Sequence, residues 1–119
     1  MKYLIMMFGD QGTMMETRST EWIRSMIGFM HVLDKELRDN GEYVDGQGLV
    51  DPTQNKTIRF ENGAPVVTDG PFAEAKESLA GYWIVDVPEE RALEISSRIV
   101  AFIEGPIEVR QIADAPPEY

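Results

Sequence analysis

Two segments of helical period, each flanked by extended apolar runs, constrain this chain more than any other feature. The first is Thr20 to Asn40, where Trp22, Met26, Met30, Leu33 and Leu37 recur at helical spacing, supported by Ile23 and Ile27. Ser19 or Thr20 offers the N-cap, Glu21 suits the positive end of the helix dipole, and Gly41 is a C-terminal stop. The second opens at Pro88-Glu89-Glu90, carries Ala92, Leu93, Ile95, Ile99 and Phe102 on its apolar face, and stops at Gly105-Pro106. Strand-like runs bracket them: Lys2 to Phe8, Tyr43 to Val50, Gly81 to Val87 and Ile107 to Ile112. Between the second and third of these lies the sharpest local signal in the chain. Thr57 to Glu61 and Ala64 to Val67 are joined by Asn62-Gly63, the pairing that favours a type I′ hairpin turn. Pro65 marks an edge position or a strand start. The glycines Gly46 and Gly48 predict a bulge or a close backbone approach.

The resulting order is β-α-β-(β-hairpin)-β-α-β. It predicts an α+β, ferredoxin-like fold, an antiparallel sheet with both helices on one face. In the first strand Tyr3, Ile5 and Met7 alternate with Leu4, Met6 and Phe8, so both sides are apolar. Helices cover only one side. The other is expected to pack against a second copy, giving a homodimer through the sheet face.

Composition narrows function mainly by exclusion. At 119 residues the chain is read as one domain, residues 1–113, with a loose tail over 114–119. It holds 21 acids against 11 bases, a net charge of −10, which argues against a nucleic-acid binder and against docking on anionic membranes. No apolar run approaches the ~20 residues of a membrane span. The start, Met1 to Phe8, lacks a small-residue cleavage site and is read as a strand rather than a signal peptide. There is no cysteine, hence no disulfide or thiolate chemistry, which is compatible with a cytoplasmic setting. One histidine and scattered carboxylates give no ligand-spaced cluster, so no metal and no cofactor is expected. No nucleotide loop, nucleophile elbow or dinucleotide fingerprint is present.

The segment Asp69-Gly70-Pro71-Phe72, continuing to Lys76-Glu77, breaks the regular pattern between two strands, where function most often sits. It resembles the central motif of the YCII-related (DGPF-domain) family. Gly9-Asp10, Gly46-Gln47-Gly48-Leu49, Thr57-Ile58-Arg59, Gly81-Tyr82, Asp86-Val87-Pro88 and Val109-Arg110 resemble its pattern as well. The resemblance implies a ferredoxin-like member of the dimeric α+β barrels, a homodimer, and a cleft between sheet and loops. The family's biochemical role is largely unassigned. Some members are encoded beside alternative sigma factors, and a few relatives look like enzymes on small aromatic substrates with a His-Asp pair.

Candidate residues follow from both readings. Asp69 is a turn residue bonding the amides ahead of it, the preferred reading, or a general base or substrate anchor. Gly70 shapes that loop, and Phe72 lines a cleft or pins the loop to the core. Lys76 is the best cation near the motif. Arg59 and Arg110 lie on alternating strands and are candidates to hold an anion from one face. His31, the one imidazole, is a candidate general acid or base, with a structural or merely exposed histidine the preferred reading; Asp39 lies eight residues on, ~12 Å along a helix, too far to touch it. Tyr82 and Trp83 point to opposite faces, so at most one is expected to face a pocket. The leading expectation is a small-molecule-binding homodimer with a regulatory setting, its ligand small and polar or aromatic. The alternatives are a cofactor-free enzyme of lyase, isomerase or oxidoreductase type moving a proton through Asp69, and a protein-interaction module built on the hairpin.

Overall fold

The computed structural model describes residues 1–9, 16–71 and 78–115. In chain order the elements are β1 (Lys2–Phe8), α1 (Thr20–Asp39), β2 (Tyr43–Gly48), a single 3-10 turn (Pro52–Gln54), β3 (Lys56–Glu61), β4 (Ala64–Asp69), β5 (Leu79–Asp86), α2 (Glu89–Ile103) and β6 (Ile107–Gln111). Four strands form the main sheet in the order β2-β5-β1-β6, with every neighbouring pair antiparallel. Each helix therefore joins two strands that leave room for a third between them. β5 enters between β1 and β2, and β1 lies between β5 and β6. This interleaving of two split β-α-β units is the ferredoxin-like arrangement. The hairpin β3–β4 forms a separate two-stranded sheet.

One face of the main sheet carries the core. Register places Tyr3 beside Val85 and Ile5 beside Trp83. These four side chains are buried together with Leu33 and Leu37 of α1 and with Ala92, Ile95 and Ile99 of α2. Both helices thus lie on the same side. Leu4, Met6, Tyr82 and Ile84, the alternate residues of the two central strands, remain partly exposed on the other.

The helix ends follow their sequence signals closely. Ser19 is the N-cap of α1, its Oγ accepting from the Trp22 amide at 3.0 Å, and Gly41 takes a positive φ of 72° just beyond the C-cap Asn40. Asn62 (φ 51°) and Gly63 (φ 79°) make the hairpin turn in the left-handed conformation that type I′ demands. Several details differ from the sequence reading. Pro88 is the N-cap of α2 rather than a member of its first turn, and it makes no side-chain cap bond. Leu93 is half exposed, because the core-facing stripe of α2 runs through Ala92, Ile95, Ser96 and Ile99 instead. β2 stops at Gly48 and β4 runs on to Asp69, since pairing partners and not composition end a strand.

A charged cluster ties the helices together. The Arg91 guanidinium donates through Nε and Nη2 to both carboxylate oxygens of Glu42, at 2.8 and 3.0 Å. It also reaches Glu36 at 3.1 Å and Glu94 at 2.6 Å, while Arg98 donates to Glu36 at 2.5 Å. The fork geometry suits two-point carboxylate recognition, and it connects α1, the α1–β2 turn and α2. These hydrogen bonds hold the Glu36 carboxyl, mainly through Arg98, and the Glu42 carboxyl, mainly through Arg91, below the ordinary range.

Candidate functional site

The apolar stripe of α1 is sealed in one half and open in the other. Leu33 and Leu37 are fully buried, whereas Ile23, Met26 and Met30 are only partly covered. Facing that open half, β2 presents Gly46 and Gly48, which put no side chain into the gap. A cleft of about 480 Å³ results between α1, the end of β1 and the β2–β5 edge. That volume lies within the range of small-molecule sites. Its walls are mainly apolar: Met7, Met26, Met30, Ile23, Ile27 and Trp83. Close packing fixes one wall, since a Cβ at Gly46 would lie 3.2 Å from Trp83 Cδ1 and 3.1 Å from Tyr43 Oη.

A few polar groups converge on this cleft. His31 and Asp34, one turn apart on α1, both line it, as do Gln47 and Tyr82. The Trp83 indole Nε1 donates to Asp34 Oδ1 at 2.9 Å, so the carboxylate is tethered across from helix to sheet. Among the described residues Asp34 Oδ2 has no hydrogen-bond partner, and His31 makes no hydrogen bond to Asp34. The Tyr82 hydroxyl donates to Asp45 Oδ2 at 3.0 Å. That bond, with burial adding to it, raises the Tyr82 pKa above its ordinary value. Tyr82 is thereby held as a neutral phenol whose proton is already engaged. Such an arrangement can seat a small, mainly apolar molecule and present an imidazole and a carboxylate to its polar end.

The residues singled out from sequence are distributed differently. His31 lines the cleft; Asp69, Gly70, Arg59 and Arg110 do not. Asp69 ends β4 with a side chain 87% exposed, ion-paired to Lys56 across the hairpin; the amides beyond Pro71 lie outside the described residues. Gly70 (φ 100°) closes the hairpin base: its amide donates to Asn55 O at 2.8 Å, and its carbonyl accepts from Thr57 Oγ1 at 2.8 Å. Arg59 lies in the hairpin and Arg110 in β6 of the main sheet, so they do not share a face. Phe72 and Lys76 fall outside the described residues. Tyr82 and Trp83 both line the cleft, although they alternate along β5, because the cleft reaches the β2–β5 sheet edge. Sequence reasoning missed Asp34 and the openness of the Met26–Met30 stripe. The available signal was the spacing of His31 and Asp34, which places them on one helix flank. Among the described residues no group of three or more His, Cys, Asp or Glu could hold a metal ion.

A model of the YCII-related domain matches residues 1–116, nearly the whole chain. The chain belongs to the YCII-related domain family. It is also 28% identical over 86 residues to an uncharacterized protein of Rhizobium meliloti (strain 1021), a match covering 72% of this chain and 68% of that protein. YCII-related membership agrees with the interleaved β-α-β topology and brings no assigned chemistry with it. No helix among the described residues is long and apolar enough to cross a membrane.

Proposed function

We propose that this YCII-related chain is a small-molecule-binding domain whose site is the α1–sheet cleft. The observation that carries the reading is that His31 and Asp34 both line a cleft walled mainly by methionine, isoleucine and tryptophan. Thioethers and an indole suit a flat aromatic or otherwise apolar body, and polar groups fix its orientation. The same reading includes a homodimer through the partly exposed sheet face of Leu4, Met6 and Ile84, as in a dimeric α+β barrel, and a regulatory role in the cytoplasm, with which a chain lacking cysteine is compatible.

A second reading is favoured by the same pair. An imidazole one turn from a carboxylate, both lining a mainly apolar cleft, suits proton transfer on a bound molecule. In that reading His31 moves the proton and Asp34 orients the ligand or the imidazole, with no part for Asp69.

The test is a thermal-shift screen of aromatic and polar metabolites against wild type, Met26→Trp, His31→Ala and Asp69→Asn. A compound is expected to raise the melting temperature of wild type and of Asp69→Asn alike. The rise should vanish in Met26→Trp, which fills the cleft, and shrink in His31→Ala. A rise retained in Met26→Trp but lost in Asp69→Asn would move the site to the hairpin base and overturn the cleft assignment. Turnover of a bound compound by wild type but not by His31→Ala would select the enzymatic reading.

A further inference from the structure

The β3–β4 hairpin shows an apolar face to solvent. Its two faces are set by register: Ile58 pairs with Val67 and Phe60 with Pro65 on one side, Arg59 with Val66 and Glu61 with Ala64 on the other. Both sides are largely exposed, Arg59, Glu61 and Ala64 on one and the apolar residues on the other. Ile58 is 67% exposed, Phe60 76% and Val67 63%, while Thr57 and Val66 on the opposite side are partly covered. A two-stranded ribbon alone in water is marginal, and one that shows its best apolar face to solvent forgoes the burial that would hold it. The chain as a whole is correspondingly open. Its radius of gyration is 16.8 Å, against about 13.5 Å for a compact domain of this length. Its accessible surface is 8354 Å², against about 6,500 Å² for a folded monomer of its mass.

We propose that this hairpin is an arm that clasps a second copy of the chain through Ile58, Phe60 and Val67. The inference rests on the homodimer reading above and extends it to an element outside the sheet. Area argues for a second copy. Six-residue strands give the hairpin a face of roughly 200 Å² in projection, and the open side of the four-stranded sheet roughly 400 Å². Neither alone approaches the ~800 Å² of accessible surface per partner that a stable interface buries, but together, with their corrugation, they come to that order. Another copy of this chain carries both unpartnered surfaces, the sheet face apolar in β1 and β5 and charged in β6 at Glu108 and Arg110, and a two-fold axis uses each of them twice. The hairpin joins β2 to β5, so clasping also couples the partner to the two strands that border the ligand cleft.

Sedimentation velocity over a concentration series tests this, with folding checked by circular dichroism. The proteins are wild type, Phe60→Asp on the exposed face, Ala64→Asp on the opposite face of the same hairpin, and Met6→Asp on the sheet. Wild type is expected to dimerise, Phe60→Asp to weaken the dimer by about tenfold or more, as loss of a buried aromatic anchor does, and Ala64→Asp to leave it nearly unchanged. A dimer broken by Met6→Asp but indifferent to Phe60→Asp would overturn the arm and leave the sheet interface standing. Equal weakening by Phe60→Asp and Ala64→Asp would overturn it too, and a wild type that stays monomeric would remove both arm and sheet interface without touching the cleft. As a check independent of folding losses, a photo-crosslinking residue at position 60 should join two copies, shown by mixed isotope-labelled peptides. Crosslinks confined to one copy would overturn the arm.

Discussion

At the scale of single residues, the Trp83–Asp34 hydrogen bond is the informative contact. It joins residues 49 positions apart and fixes the depth at which α1 sits over β5 beside the cleft. Trp83 is 5% exposed, so its indole N–H would be costly to leave unpaired, and Asp34 supplies the acceptor. Trp83→Phe is expected to lower stability by about 1–3 kcal/mol, through the lost bond and the smaller ring. Asp34→Asn keeps an acceptor and should cost less. Urea unfolding followed by far-ultraviolet circular dichroism measures both, and equal losses would mean that the carboxylate's charge matters more than its position. Asp69 illustrates the opposite case. Its type and its neighbours Gly70-Pro71 suggested chemistry, yet it is a mostly exposed partner of Lys56, and exposed pairs contribute little. The sequence could indicate a break in pattern there but not which way the side chain faces.

Among elements, α1 and α2 are held by the Arg91 cluster as well as by the shared core. Glu36 and Glu42 are ionised more readily in the folded chain than in the unfolded one, because Arg98 and Arg91 donate to them. A depressed carboxyl pKa contributes stability that is fully present above the unfolded value and lost as pH falls through the folded one. The unfolding free energy should therefore hold steady from neutrality to about pH 5 and decline below about pH 4.5. Arg91→Ala should be less stable at pH 7 by about 1–2 kcal/mol and should lose less on acidification, since fewer carboxyls are then depressed. Urea midpoints across that pH series decide it; parallel curves for the two proteins would show that the cluster is not the source. The elements themselves were largely legible. Both helices came from their apolar period and end signals, and the hairpin from Asn62-Gly63. What period could not reveal was that the α1 stripe is core at Leu33 and Leu37 but cleft wall at Met26 and Met30. An apolar residue is patterned alike whether protein or a ligand will cover it.

On the scale of the whole molecule, stability is expected to be uneven. β1 and β5 are the central strands, each hydrogen-bonded on both sides, and they carry the fully buried Ile5 and Val85. β3–β4 pairs only with itself in the main-chain ladder and shows its apolar face to solvent. At low protein concentration, native-state amide exchange should be slowest in β1 and β5, near the limit of global unfolding, and faster by about tenfold or more in the hairpin. Equal protection in both would mean that the hairpin opens only with the body of the fold.

Sequence by itself determined the identity and order of the elements, the type of hairpin turn, the family, and the presence of more apolar surface than two helices can cover. These depend on propensities, caps and periodicities that act within a few residues of chain. Only the tertiary structure decided that His31 and Asp34 meet Trp83 at one cleft, that Asp69, Arg59 and Arg110 stay apart from it, and that the hairpin turns Phe60 outward. Each of those outcomes depends on strand register and on how closely a helix approaches the sheet. Both are set by packing between residues far apart in the chain, which no local pattern records.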